Sequence, residues 1–149
     1  RTGTSYPEVA SDVVQAPLSA VQPTHAEVGW MEPVYDFLPR PNPLLVSGGE
    51  LFERGIYAHA PAIHRYDLEG DWKSLTGKCG LPTQRGGSVV FVIKTDGREV
   101  FRSPKVEPGT THSFAIDLTN VKSLELTTEN AGDGNQLDWG LWLEPTLTR

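Results

Sequence analysis

Residues 55–68 read Gly-Ile-Tyr-Ala-His-Ala-Pro-Ala-Ile-His-Arg-Tyr-Asp-Leu, with Arg54 just ahead of them. Two imidazoles, two phenol rings and two guanidinium groups are gathered around one His-Ala-Pro turn, and no nucleophile accompanies them. Such a set points to binding rather than bond cleavage. A sugar ring offers an apolar face of C–H groups and a rim of hydroxyls, so its receptor needs an aromatic platform beside planar donors and acceptors. Trp30, Arg54, Tyr57, His59, Gln136 and Trp142 are residues of these types. In Tyr57-Ala58-His59 the two larger side chains share the strand face opposite Ile56, Ala58 and Ala60, and a binding surface is expected on that face.

Catalytic and metal chemistry find less support. Hydrolysis needs a nucleophile beside a base, or two carboxylates held across a cleft. Ser88 follows Gly86-Gly87 without a Gly-x-Ser-x-Gly elbow and reads as a turn residue, so a small hydrolase is the weakest reading. His25, His59, His64 and His112 include no pair at a helical metal spacing and no partner cysteine motif. His59 and His64 flank one turn and can approach each other, but a turn histidine more commonly bonds to the backbone. Asp133-Gly-Asn-Gln-Leu-Asp138 places oxygens at alternate positions yet lacks the remaining calcium-loop pattern and its flanking helices, so a Gly-Asx turn is expected. No cofactor is required; a structural calcium ion in a sandwich loop is compatible with the residues present.

The elements that must position these groups are set by the whole chain. Its 149 residues are the size of one domain. The 19 Asp and Glu against 13 Lys and Arg leave a net charge of −6 and no basic run, which argues against a nucleic-acid surface. The single cysteine, Cys79, allows no internal disulfide, and its apolar neighbours Trp72, Leu75 and Leu81 make it a buried, inert thiol. No apolar run reaches the length of a membrane span, and the first residues lack the order of a signal peptide. Residues 1–22, with Pro7 and Pro17 among small and polar residues, read as an extended N-terminal tail or linker, and residues 23–149 as the folded domain. Pro33, Pro39, Pro41 and Pro43 punctuate a loop whose Trp30, Tyr35 and Phe37 should pack against that domain.

From Leu44 onward the signals are those of strands bounded by turns, and no window carries a helical period over three turns. Ser88–Lys94 is a β-branched apolar run suited to the centre of a sheet. Asp96-Gly97 then supplies a hairpin turn into Glu99–Ser103. Phe114, Ile116 and Leu118, and likewise Leu124 and Leu126, alternate with polar residues as half-buried strands do. Near the end, Trp139, Leu141 and Leu143 fall on one face and Gly140 and Trp142 on the other. Trp139 is expected in the main core, with Trp142 under the N-terminal loop. The pattern predicts an all-β fold, an antiparallel β-sandwich of jelly-roll type.

These motifs together resemble a known family. Arg54-Gly-Ile-Tyr-Ala-His-Ala-Pro61, Tyr66-Asp-Leu, Gly87-Ser-Val-Val-Phe-Val, Asp96-Gly-Arg-Glu, Asp133-Gly-Asn and Asp138-Trp139 are similar in order and spacing to the NPCBM domain, carbohydrate-binding module family 51, over about residues 28–147. The resemblance implies a galactose-binding-domain-like β-sandwich without catalysis of its own. It implies binding of galactose-containing glycans and attachment to an exported glycoside hydrolase or other enzyme, placed outside the cell, in the periplasm or at the cell surface. The site is expected in loops at one end, with Trp30 stacking, His59 and Arg54 donating to hydroxyls, and Glu32 and Gln136 fixing hydroxyl geometry. The alternative is a structural or protein-interaction module of a larger exported protein.

Overall fold

In the computed structural model the described residues are 14–29, 33–36, 45–47, 50–82, 88–130 and 139–149. They fold as an antiparallel β-sandwich of the expected class, with a small third layer. One sheet runs β1 (Gln15–Pro17), β12 (Trp139–Thr148), β7 (Ser74–Gly80) and β10 (Thr111–Asp117), and β5 (Gly55–His59) also pairs with β12. The facing sheet runs β2 (His25–Glu27), β6 (Ala62–Asp67), β11 (Ser123–Asn130), β8 (Val89–Thr95) and β9 (Arg98–Arg102). A hairpin of β3 (Leu45–Ser47) and β4 (Glu50–Phe52) forms the third layer.

The expected apolar run becomes β8, lying between β11 and β9. Its hairpin turn takes the left-handed backbone at both central positions, with φ 48° at Asp96 and 81° at Gly97. The Asp96 carboxylate accepts the backbone N–H groups of Lys122 and Ser123, which fastens this turn to the start of β11. Strand β12 is the longest because it serves two partners in succession along one edge. Residues 139–143 pair with β5 and residues 146–148 with β1. Between them the register shifts, Glu144 adopts φ 47°, and Pro145 stands where no ladder N–H is required.

Two readings of the sequence are corrected here. Residues 15–20 are not a tail: β1 pairs with Thr146–Thr148, and Ala16, Leu18 and Ser19 are buried. A three-residue strand ending in proline is too short to show alternation, so it resembles a linker. Residues 1–13 lie outside the described residues. The two tryptophans also exchange roles. Trp142 is fully buried in the core between the sheets, edge-on to Phe91 and Phe114 at 5.0 and 5.7 Å between ring centroids. Trp139 belongs to a second cluster with Leu45, Phe52, Tyr57, Leu141 and Leu143, beneath the β3–β4 hairpin. Alternation told which residues share a face; it did not tell which face meets the opposite sheet, because the hairpin buries the outer face as well.

Candidate functional site: the Ala60–Pro61 end of the sandwich

At one end of the sandwich β2, β5, β7 and β11 finish while β6, β8, β10 and β12 begin. The pairs His59↔Trp139, Ala62↔Thr128, Asn130↔Val89 and Gly80↔Thr111 mark this end in register. The β5–β6 turn crosses it through a cis Ala60–Pro61 bond. Pro61 and Gly29 are exposed there, whereas His59 is 4% exposed.

His59 ties several segments together at this end. Its carbonyl accepts the Gly29 N–H at 2.8 Å. Its Nδ1 lies 2.9 Å from the Ala60 carbonyl oxygen, and since a carbonyl only accepts, Nδ1 carries the proton. The ring packs against both Tyr57 and Trp139, with centroids 6.4 and 6.2 Å away, while those two rings meet each other at 5.3 Å. Gly29 itself admits no side chain, because a Cβ there would overlap the Ala60 carbonyl and come 2.7 Å from Pro61 Cδ. The sequence signal for this contact is the lone glycine between Val28 and Trp30, a residue that marks close backbone approach.

The five expected site residues therefore fare differently. His59 is at this end, but buried, and the Tyr57–His59 face read as a binding surface is instead packed under the third layer, with Tyr57 fully buried. Arg54 is at the opposite end of β5, about 16 Å along an extended strand from His59. There its Nη1 pairs with Asp36 Oδ2 at 3.2 Å while Asp36 Oδ1 accepts the Gly55 N–H. The structure does not bring Arg54 and His59 together. Trp30, Glu32 and Gln136 lie outside the described residues, as does the Asp133–Asp138 segment considered for calcium. Gly29, Pro33, Asn130 and Trp139 are the nearest described positions to them along the chain.

The second histidine of the turn, the cysteine and the charges of the outer sheet face are absorbed by structure. His64 does not join His59; it points into the core against Tyr35, 6.0 Å between centroids, fully buried. Burial, with the nearby His25 adding to it, lowers its pKa to about 4. Burial pushes the Cys79 thiol up to about 12. On the outer face of the β6–β11–β8–β9 sheet, Glu125 pairs with Arg65 and Lys94, and Arg102 with Glu99 and Glu129, forming a solvated ladder of exchanged charges. Among the described residues no group of three His, Cys, Asp or Glu side chains is placed to hold a metal ion. No helix among them is long and apolar enough to cross a membrane.

Comparisons with known proteins agree with this geometry. The CBM51 module of Clostridium perfringens GH95, solved in complex with methyl-galactose, superposes with a TM-score of 0.82 at 23% identity, covering 90% of this chain and 99% of that one. CBM51-2 of Clostridium perfringens ZmpB, solved in complex with GlcNAc alongside INT domains, gives 0.79 at 20% identity over 91% of this chain and 31% of that one. At such identities the likeness is one of fold. A curated relative, the putative endo-alpha-N-acetylgalactosaminidase of Renibacterium salmoninarum, is 26% identical over 103 residues, 67% of this chain, and the match spans only 7% of that relative's length. The sequence also matches the NPCBM/NEW2 domain over residues 14–148. With the sandwich, the His-Ala-Pro turn and this near-complete match in agreement, the chain belongs to the NPCBM/NEW2 domain family.

Proposed function

We propose that this chain is a non-catalytic carbohydrate-binding module that recognises galactose-type glycans at the Ala60–Pro61 end of its sandwich and holds an attached, exported glycoside hydrolase or other enzyme near its substrate. The observation that carries this reading is the family match over residues 14–148, because it spans every described strand from β1 to β12. Support comes from the solved modules of like fold bound to methyl-galactose and GlcNAc, and from the glycosidase name of the much longer relative. A binding role also suits the described chemistry: the charged side chains of the outer face are engaged with each other, and the buried His64 and Cys79 are held neutral. On this reading Trp30 supplies the stacking platform, and Glu32 and Gln136 accept or donate to hydroxyls. Arg54 is assigned to the Asp36 pair instead.

Affinity should be weak, with a dissociation constant on the order of 0.1–1 mM, since a single sugar offers few atoms and its hydroxyls exchange good hydrogen bonds with water. Isothermal titration with methyl-galactoside, N-acetylglucosamine and glucose tests the reading. Saturable heat with one of the first two and none with glucose is expected; no heat with any at millimolar ligand overturns it. The second reading, a structural or protein-contact module, is favoured by one observation: of two expected sugar contacts, His59 is buried in the fold and the exposed Arg54 is paired with Asp36 at the other end of β5. Silent titrations together with a folded protein would select it.

A further inference from the structure

We propose that His59 is a positioning residue for glycan recognition: it sets the geometry of the Ala60–Pro61 end from beneath, without touching the sugar. This rests on the carbohydrate-binding reading above. Three independent links meet at this one residue. Its carbonyl holds Gly29, the last described residue of the segment following β2, at 2.8 Å. Its backbone is the register partner of Trp139, the first residue of β12. Its ring donates from Nδ1 to the Ala60 carbonyl at 2.9 Å, closing the turn on itself. The Gly29 backbone approaches Ala60 and Pro61 so closely that a Cβ at residue 29 would overlap the Ala60 carbonyl. The chain leaving β2 at Gly29, the β5–β6 turn and the chain entering β12 at Trp139 are thus indexed to a single residue, two of them through its backbone and the turn through its ring.

The side chain must do two things that few residues combine. It fills a slot beside the touching rings of Tyr57 and Trp139, and it returns an N–H donor to the next residue's carbonyl. Phenylalanine fills the slot without the donor. Asparagine offers an amide N–H near the position of Nδ1 without filling the slot. At 4% exposure the imidazole has almost no surface to present to a ligand. A group that must be this precisely held to support a weak, few-atom ligand affects affinity through the backbone it orients.

His59→Phe and His59→Asn in the whole chain separate this role from packing and from direct contact. Expected are a folded His59→Phe protein whose galactoside dissociation constant rises about tenfold, and a His59→Asn protein that binds within about threefold of wild type although its melting temperature falls further. Nitrogen-15 shifts of the His59 ring should stay unchanged at saturating methyl-galactoside. Wild-type affinity in His59→Phe, or affinity losses that simply follow the melting temperatures, would overturn positioning. A ligand-dependent Nε2 shift would make His59 a direct contact and overturn it too. If the wild-type protein binds no sugar, the carbohydrate reading fails and this inference falls with it; wild-type binding beside an unaffected His59→Phe sinks this inference alone.

Discussion

Trp142 lies edge-on to Phe91, with ring centroids 5.0 Å apart and planes at 74°, and so joins β12 of one sheet to β8 of the other. Phe114 of β10 meets the same indole from another side at 5.7 Å. Three strands therefore share one aromatic centre, and Gly140, two residues earlier on the same face, makes room beside it. This centre governs stability at a distance from the proposed sugar end.

Trp142→Ala should cost about 3–5 kcal/mol, the range for emptying a buried large side chain from a close-packed core. Trp139→Ala removes a ring from the smaller cluster under the β3–β4 hairpin and should cost less. Urea denaturation of both variants checks the order. A larger loss for Trp139→Ala would mean that the hairpin-covered face is the principal core.

Gly140→Ala should also destabilise, by about 1–3 kcal/mol, through overpacking. A Cβ at this position would meet the Ala58 carbonyl oxygen and Thr128 Cγ2 at 2.7 Å each and Phe91 Cε1 at 3.2 Å. The first of these is backbone of the neighbouring strand and cannot step aside without moving β5. An unchanged urea midpoint in Gly140→Ala would contradict the close approach.

His64 makes the fold sensitive to acid. Its pKa of about 4 when folded lies below the ordinary 6.5, so the native state favours the neutral ring and unfolding takes up a proton between these values. The contribution is complete above about pH 6.5. It is lost as pH falls toward 4, at about 1.4 kcal/mol per pH unit and about 3 kcal/mol in all. Neither ring nitrogen has a hydrogen-bond partner among the described residues, so His64→Leu should keep the packing while removing this loss. Unfolding free energies of the two proteins from pH 7 to pH 4 should diverge; parallel curves would show that His64 does not carry the acid sensitivity.

Cys79 should resist thiol reagents for as long as the protein stays folded. Its side chain is fully buried and its pKa is raised to about 12, so thiolate is scarce at pH 8. Labelling by an aromatic disulfide reagent should be negligible in buffer and should rise with urea along the unfolding curve. Rapid labelling of native protein would place the thiol at the surface.

The sequence by itself determined the fold class, the core alternation of β10 and β11, the Asp96-Gly97 hairpin and the burial of Cys79, because each follows from local chemistry, and the likeness of its motifs in order and spacing pointed to the family. Side-chain period 2 writes which residues share a face, Asp-Gly writes a turn, and a run of valine, phenylalanine and isoleucine writes an inner strand. What it left open needed a partner far along the chain. The strand Gln15–Pro17 is a strand only because Thr146–Thr148 receives it. Trp142 rather than Trp139 faces the opposite sheet because a hairpin tied through Ser47 to the carbonyl of Leu81, 34 residues further along the chain, covers the other side of β12. The site divided in the same way. Residue types pointed to a sugar-binding end, but Arg54 and His59, five positions apart in sequence, were parted to opposite ends of β5 by simple strand rise, and burial turned His59 inward. Local pattern chooses the elements; which surface stays open is decided by what the rest of the chain lays over it.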